Sequence, residues 1–256
     1  MKKMMLTMLA GVLMITASCQ KDVKQEGALT ETLRTDLLEK KALAYDYPIK
    51  PGTEAWKKLS SNAEKTKVCQ IPEGILKQLT TEDLLAVCLA YPLLNDMYAF
   101  NNMEEGIDKL FSDFNGIREL AQRQDAINKF IEEYKKQINN VNALSGNYSD
   151  YAKGEYIVRI SNVELLGSRR ELLNGRAASR DTENFMAVLL DGYEAKKANA
   201  AYFKGIGLKT NLFSRAKVVA WKNNTVVDDE IKFFEFDSQV IDRIDTQSKQ
   251  MIQNKY

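Results

Sequence analysis

The sequence predicts an all-α protein built as an irregular multi-helix array. Three observations lead there. The chain has 256 residues with only 4 prolines and 13 glycines, few for a long all-β chain that needs a turn about every 8–12 residues. Leu, Lys, Glu, Ala and Gln, which favour helix, are plentiful. Apolar residues recur at i, i+3, i+4 and i+7 along most of its length.

Taken in order, residues 20–27 (QKDVKQEG) are polar and read as a tether, and residues 28–44 carry Leu29, Leu33, Leu37 and Leu38 at helical spacing. YDYPIKPG is a loop, because its two prolines hold extended backbone. Thr53 caps a helix that carries Glu54 in its first turn and runs to about Val68. Pro72 starts a short helix. Thr80 and Asp83 form the Asp version of a capping box ahead of Leu84, Leu85, Val87, Cys88 and Leu89, a run apolar on nearly all sides and therefore central. Pro92 ends that helix and opens another through Phe100. Ile107, Leu110, Phe111, Phe114 and Ile117 follow the helical stripe, with Asn115-Gly116 as a turn or kink. Leu120, Ile127, Tyr134 and Val141 recur every seven residues and predict one long helix from Ile117 to about Ala143. Helices over about 150–173 and 182–203 follow. No fixed-period repeat supports a solenoid. In the tail, AKVVAWKNNTVV admits two readings, a small β-hairpin near residues 216–227 or continuous helix. Residues 228–253 read as a final helix without an obvious cap.

The composition excludes several chemistries. There is no histidine, so Ser-His-Asp and Cys-His catalysis, HExxH zinc sites and haem ligation by His are ruled out. Carboxylate, lysine and N-terminal nucleophile mechanisms remain. The net charge of +1 gives no electrostatic reason to expect nucleic acid. The GIG at residues 205–207 lacks the third glycine and preceding strand of a dinucleotide site. With no P-loop and no GxSxG either, no cofactor and no metal centre is expected, and no catalytic residue is assigned.

The first residues read as an address. Lys2 and Lys3 precede the apolar run at residues 4–15, which is too short for a bilayer span of about 20 residues and fits the core of an export signal. Thr16-Ala17-Ser18-Cys19 resembles a bacterial lipobox, with Thr16 where Leu is usual. The expected organisation is a lipoprotein signal peptide at 1–18, lipid attachment at Cys19, a tether at 19–27, a helical domain at 28–203 and a C-terminal extension at 204–256. That implies an exported protein held at the cell envelope, at the outer membrane, by its N-terminal lipid. Two acyl chains make such attachment stable, at about 0.8 kcal/mol per buried CH₂. Cys69 and Cys88 could pair in an exported protein or stay free. Two buried free thiols are the preferred reading, since Cys88 lies in an apolar run and, if the flanking helices form a hairpin, the two are too far apart for a bridge.

The block LTTEDLLAVCLAYPLLNDMYAFNN…FNGIREL at residues 79–120, with its lead-in from residue 45, resembles a family of exported, uncharacterised helical proteins of Bacteroidetes and Firmicutes. The family has no established activity. Some longer relatives continue into a segment with a Cys-His motif suggestive of amidase or peptidase chemistry. The resemblance implies that this chain is the helical part without the catalytic part, acting on an envelope protein or polymer as a binding or accessory module.

Asn95, Asp96, Asn101 and Asn102 are polar among apolar neighbours. They read as a polar cleft or as helix-end caps, the role that Asn and Asp favour. Glu105 and Asp108 could share a cation or act as an acid/base pair, and Asp228-Asp229-Glu230 suits a helix start. Chance and solvation explain both with 35 acidic residues present. The alternative to a binding module is a carboxylate-dependent envelope hydrolase acting on glycan or peptide. Lys196-Lys197 and Arg169-Arg170 read as solvated basic spots.

Overall fold

A computed structural model describes residues 43–173, 180–223 and 237–253. The signal, Cys19, the tether, the leucines at 29–38 and Asp228–Glu230 lie outside the described residues. Those described form an all-α array without strands. The helices are α1 (Glu54–Lys57), α2 (Asn62–Val68), α3 (Glu73–Leu76), α4 (Thr81–Leu89), α5 (Met103–Asp113), α6 (Asn115–Gln122), α7 (Ala126–Asn139), α8 (Asp150–Gly167), α9 (Arg170–Leu173), α10 (Arg180–Ala198), α11 (Ala200–Phe203), α12 (Ile206–Lys222) and α13 (Ser238–Gln253). Two 3-10 turns, Leu94–Ala99 and Val141–Ser145, join α4 to α5 and α7 to α8. Among the described residues no helix is long and apolar enough to cross a membrane.

Local chemistry sets the helix starts. Thr53 accepts from the Trp56 amide, and Ser61 with Glu64 makes a full capping box. Thr80 accepts from the Asp83 amide at 3.1 Å and donates its hydroxyl to the Asp83 carboxylate at 2.7 Å. The pairing is thus between side chains, where a capping box would reach back to the backbone. Ser149 caps α8, and Asp237 caps the final helix through the Val240 amide. The terminal helix therefore has the cap that its sequence did not advertise.

Two helices form the centre. α8 is buried without interruption from Ile160 to Gly167, and α12 from Thr210 to Ala216. α12 packs on α8 and α10, α10 on α7, and α13 on α10 and α12. In the N-terminal half, α4 buries Leu84, Leu85, Val87 and Cys88 against α6 and α7. Tyr47 anchors the lead-in there, donating to the Val87 carbonyl at 3.1 Å. The α5–α6 junction is clamped by Asn115, which accepts from the Ile71 amide at 3.0 Å and donates to its carbonyl at 2.7 Å.

Several expectations change. The single helix over 117–143 is three pieces, since it stops at Gln122, restarts at Ala126 and closes as a 3-10 turn. Arg123 is extended, and its guanidinium is tied to Glu119 and the Leu76 carbonyl. Asp125 accepts from the Thr81 hydroxyl at 2.6 Å. The seven-residue register survives the break, because Leu120 and Ile127 are both fully buried. The helix expected over 150–173 breaks at Ser168-Arg169, and the next one runs to Ala198 and resumes at Ala200. Over residues 216–222 the hairpin reading is overturned, because they continue α12. Val218 and Val219 are buried there, so packing overrides β-branched propensity. Residues 224–227 lie outside the described residues.

Cys69 and Cys88 are free and buried, as expected. Burial pushes the Cys69 thiol up to about 11 from 9.0, and Cys88 higher still. An unfolded chain ionises these thiols from about pH 9 while the folded chain keeps them protonated, so the folded state binds more protons above that pH. Stability is therefore expected to hold below pH 9 and to fall as pH rises towards 11, read by urea unfolding across that range. In residues 20–256 at pH 8, a thiol reagent should label neither cysteine until denaturant is added; rapid labelling of either would contradict their burial.

Gly106 gives a second test. A Cβ there would lie 2.0 Å from the Met97 carbonyl oxygen, whereas one at Gly74 meets nothing within 4 Å. Gly106→Ala should destabilise by about 2 kcal/mol or more through overpacking against backbone. Gly74→Ala should be neutral or stabilise by up to about 1 kcal/mol. Denaturant midpoints of the two variants check the contrast.

Candidate functional site

Three helices and a turn enclose a groove of about 950 Å³. Its walls come from α4, α7 and α8, with the Leu94–Ala99 turn at one end. Leu85, Tyr91 and Leu94 are buried at its floor, and Ala86, Leu89 and Val158 are half-buried beside them. Charged side chains of both signs line it above: Glu82, Glu132, Glu133 and Glu155 with Lys129, Lys136 and Arg159. Arg159 reaches Glu133 across α8 and α7 at 3.2 Å, and Lys129 pairs with Glu132 at 2.7 Å. Gly154 leaves its part of the α8 wall without a side chain, and a Cβ there would meet nothing within 4 Å. Tyr151 stands 63% exposed at the groove, an aromatic ring presented to whatever enters.

The polar residues singled out in the sequence do not form one cleft. Asn95 does line the groove, where its side-chain oxygen accepts from Asn162 at 3.0 Å. Asn162 in turn accepts from the Tyr98 hydroxyl at 2.8 Å. Asp96 is exposed outside the groove lining, its carboxyl raised by partial burial against an opposing Lys65. Asn102 caps α5 by accepting from the Glu105 amide at 2.9 Å, and Asn101 is exposed in the preceding turn. Asn162, Tyr98 and Arg159 were invisible in sequence because their partners lie on other helices.

The acidic residues of α5 have a different role from cation sharing. Asp108 pairs with Arg169 at 2.7 Å, and Glu104 bridges Arg169 at 3.1 Å and Lys217 at 2.6 Å. Arg169 also pairs with Glu171 at 2.7 Å and lies 4.9 Å from the Phe111 ring centre. It is only 8% exposed, so the solvated reading of this arginine is overturned. Among the described residues no three His, Cys, Asp or Glu side chains are grouped to hold a metal ion.

Lys196 is corrected more strongly, since both it and Glu164 are 0% exposed. Its ammonium lies 2.7 Å from Glu164 Oε1 and donates to the Gly207 carbonyl at 2.8 Å. Glu164 also accepts from Thr210 at 2.8 Å, from Asn211 at 2.9 Å and from the Tyr134 hydroxyl. Burial pulls the Lys196 ammonium below its ordinary range while Glu164 opposes that pull. Burial, reinforced by the Glu164 charge, holds the Tyr134 phenol well above its ordinary value. Gly192 makes room for this phenol, because a Cβ there would lie 2.1 Å from the Tyr134 oxygen. None of these groups lines the groove. The network is enclosed and joins helices, whereas the groove is open and offers surface. Among family models, curated proteins and solved structures, nothing matches the chain.

Proposed function

We propose that this protein is a lipid-anchored module of the cell envelope, held at the outer membrane through Cys19, that binds a helical segment of a partner protein in its α4–α7–α8 groove. The observation that carries the reading is the make-up of the groove: an apolar floor between walls charged in both signs. An amphipathic helix fits such a surface, laying its apolar row on the floor and its polar flanks against the walls. An apolar cleft with a few convergent polar groups is also the usual form of a binding site. A charged polymer of one sign would meet repulsive as well as attractive side chains there. The export signal, the small residues before Cys19 and the polar residues 20–27 support the anchoring half of the reading. An accessory role towards a separate envelope enzyme is the same reading with that enzyme as the partner.

The two halves are tested separately. Cys19→Ala should release the protein from membranes or leave the precursor uncut, as seen by fractionation and mass; normal processing and retention would contradict the anchor. Gly154→Trp should fill the groove without disturbing the core, given the open space at that position. It should reduce capture of envelope proteins in a pull-down by at least about tenfold, equivalent to about 1.4 kcal/mol. The exposed variant Lys204→Glu should leave capture unchanged. Equal capture by wild type and Gly154→Trp would contradict binding through the groove.

A further inference from the structure

We propose that residues 28–42 of this same chain seat in the groove, so that the mature protein carries a tethered occupant that a partner must displace. This rests on the reading of the groove as a helix-binding site and adds its resident ligand.

The path of the chain is the first argument. Leu43, the first described residue, already lines the groove. The chain is fixed directly after it. Tyr45 packs edge-on against Tyr47 at 5.3 Å, Tyr47 against Tyr91 at 6.1 Å, and Tyr91 is itself a groove residue. The described chain therefore begins at the groove, and residues 28–42 are covalently joined to it there. A ligand attached so closely has an effective concentration of the order of mM, which outweighs a weak intrinsic affinity.

The sequence of the segment is the second argument. Leu29, Leu33 and Leu37 stand four residues apart, followed by Leu38, which is an apolar row of the kind a helix lays into a groove. As a helix, residues 28–42 would extend ~22 Å, enough to follow the groove wall from Tyr151 to Asn162, ~17 Å of α8. A helix of this length is marginal alone in water, so burying its leucines on the half-buried Ala86, Leu89 and Val158 of the groove would supply the stability it lacks. Its charges are mixed in sign, with Glu31, Asp36 and Glu39 against Arg34, Lys40 and Lys41. The groove walls are mixed as well, so neither surface repels the other through net charge.

The test uses the mature chain with Cys19→Ser, in which Cys69 and Cys88 are buried. Gly154→Cys is combined in turn with Leu33→Cys, Thr35→Cys or Leu37→Cys, and disulfide formation is followed under mild oxidation in dilute solution. The expected result is an intramolecular crosslink at position 33 or 37 that forms at least tenfold faster than at 35. Equal rates at all three positions, or no crosslink, would overturn the proposal. Covalent dimers in place of intramolecular crosslinks would overturn it in favour of a second copy as occupant. Hydrogen exchange gives a second readout without new cysteines: amides 29–42 should be protected in the Cys19→Ser chain and lose at least tenfold protection in Gly154→Trp. If those amides are unprotected while partner capture still depends on Gly154, the resident segment is wrong and groove binding stands. If capture ignores Gly154→Trp, the groove-binding reading itself fails.

Discussion

The Glu164 carboxylate, at zero exposure, is the constraint around which the rest of the structure is arranged. An isolated ion in a protein interior costs several kcal/mol even after relaxation. This one is matched by a cation and three further donors, which together come from three other helices. Lys196 comes from α10, Tyr134 from α7, and Thr210 and Asn211 from α12. Every donor constrains its helix in rotation and depth, because a buried polar group tolerates little misplacement. Asn211 extends the pattern by donating to the Leu189 carbonyl at 2.9 Å, which ties α12 to α10 a second time. Arg215, one turn further along α12, repeats it towards α13 through Asp245 and Ser248, with the Tyr193 ring 5.0 Å away. Apolar packing supplies the driving force for collapse, and the polar centre selects one arrangement of otherwise interchangeable helices.

The groove depends on this centre through α8. The same helix that buries Glu164 carries Gly154, Val158, Arg159 and Asn162 along the groove. α7 likewise offers Tyr134 to the interior and Lys129, Glu132 and Glu133 to the groove wall. Fixing the inner faces of α7 and α8 therefore fixes the separation of the walls. A binding surface held on rigid helices keeps its shape before the ligand arrives, which lowers the cost of association.

Much of the fold was legible in the sequence, and the reasons are local. Caps at Thr53 and Thr80 act within a few residues, and the stripes at Ile107–Ile117 and Leu120–Val141 report buried positions, although the helices that carry them are broken. What escaped depends on distance along the chain. Glu164 and Lys196 are 32 residues apart, and Glu104 and Lys217 are 113 apart. No periodicity links such pairs, so Lys196 and Arg169 each read as ordinary solvated charge. α12 was ambiguous for a related reason. Its β-branched Val218-Val219 suits strand as well as helix, and it is packing that decides, since these two and the polar Thr210, Asn211, Ser214 and Arg215 are all buried. Of the polar residues singled out, only Asn95 reaches the groove. The others serve short-range backbone needs or stay exposed, which their chemistry alone could not distinguish from ligand binding.

The claim that the Glu164–Lys196 pair organises the array is tested most directly by a double-mutant cycle with Glu164→Leu and Lys196→Met, measured by denaturant unfolding. Each single change leaves a buried partner uncompensated and should cost about 3–5 kcal/mol. The double variant should cost less than the sum, with a coupling of at least about 2 kcal/mol. Additive effects, agreeing within about 0.5 kcal/mol, would contradict the account.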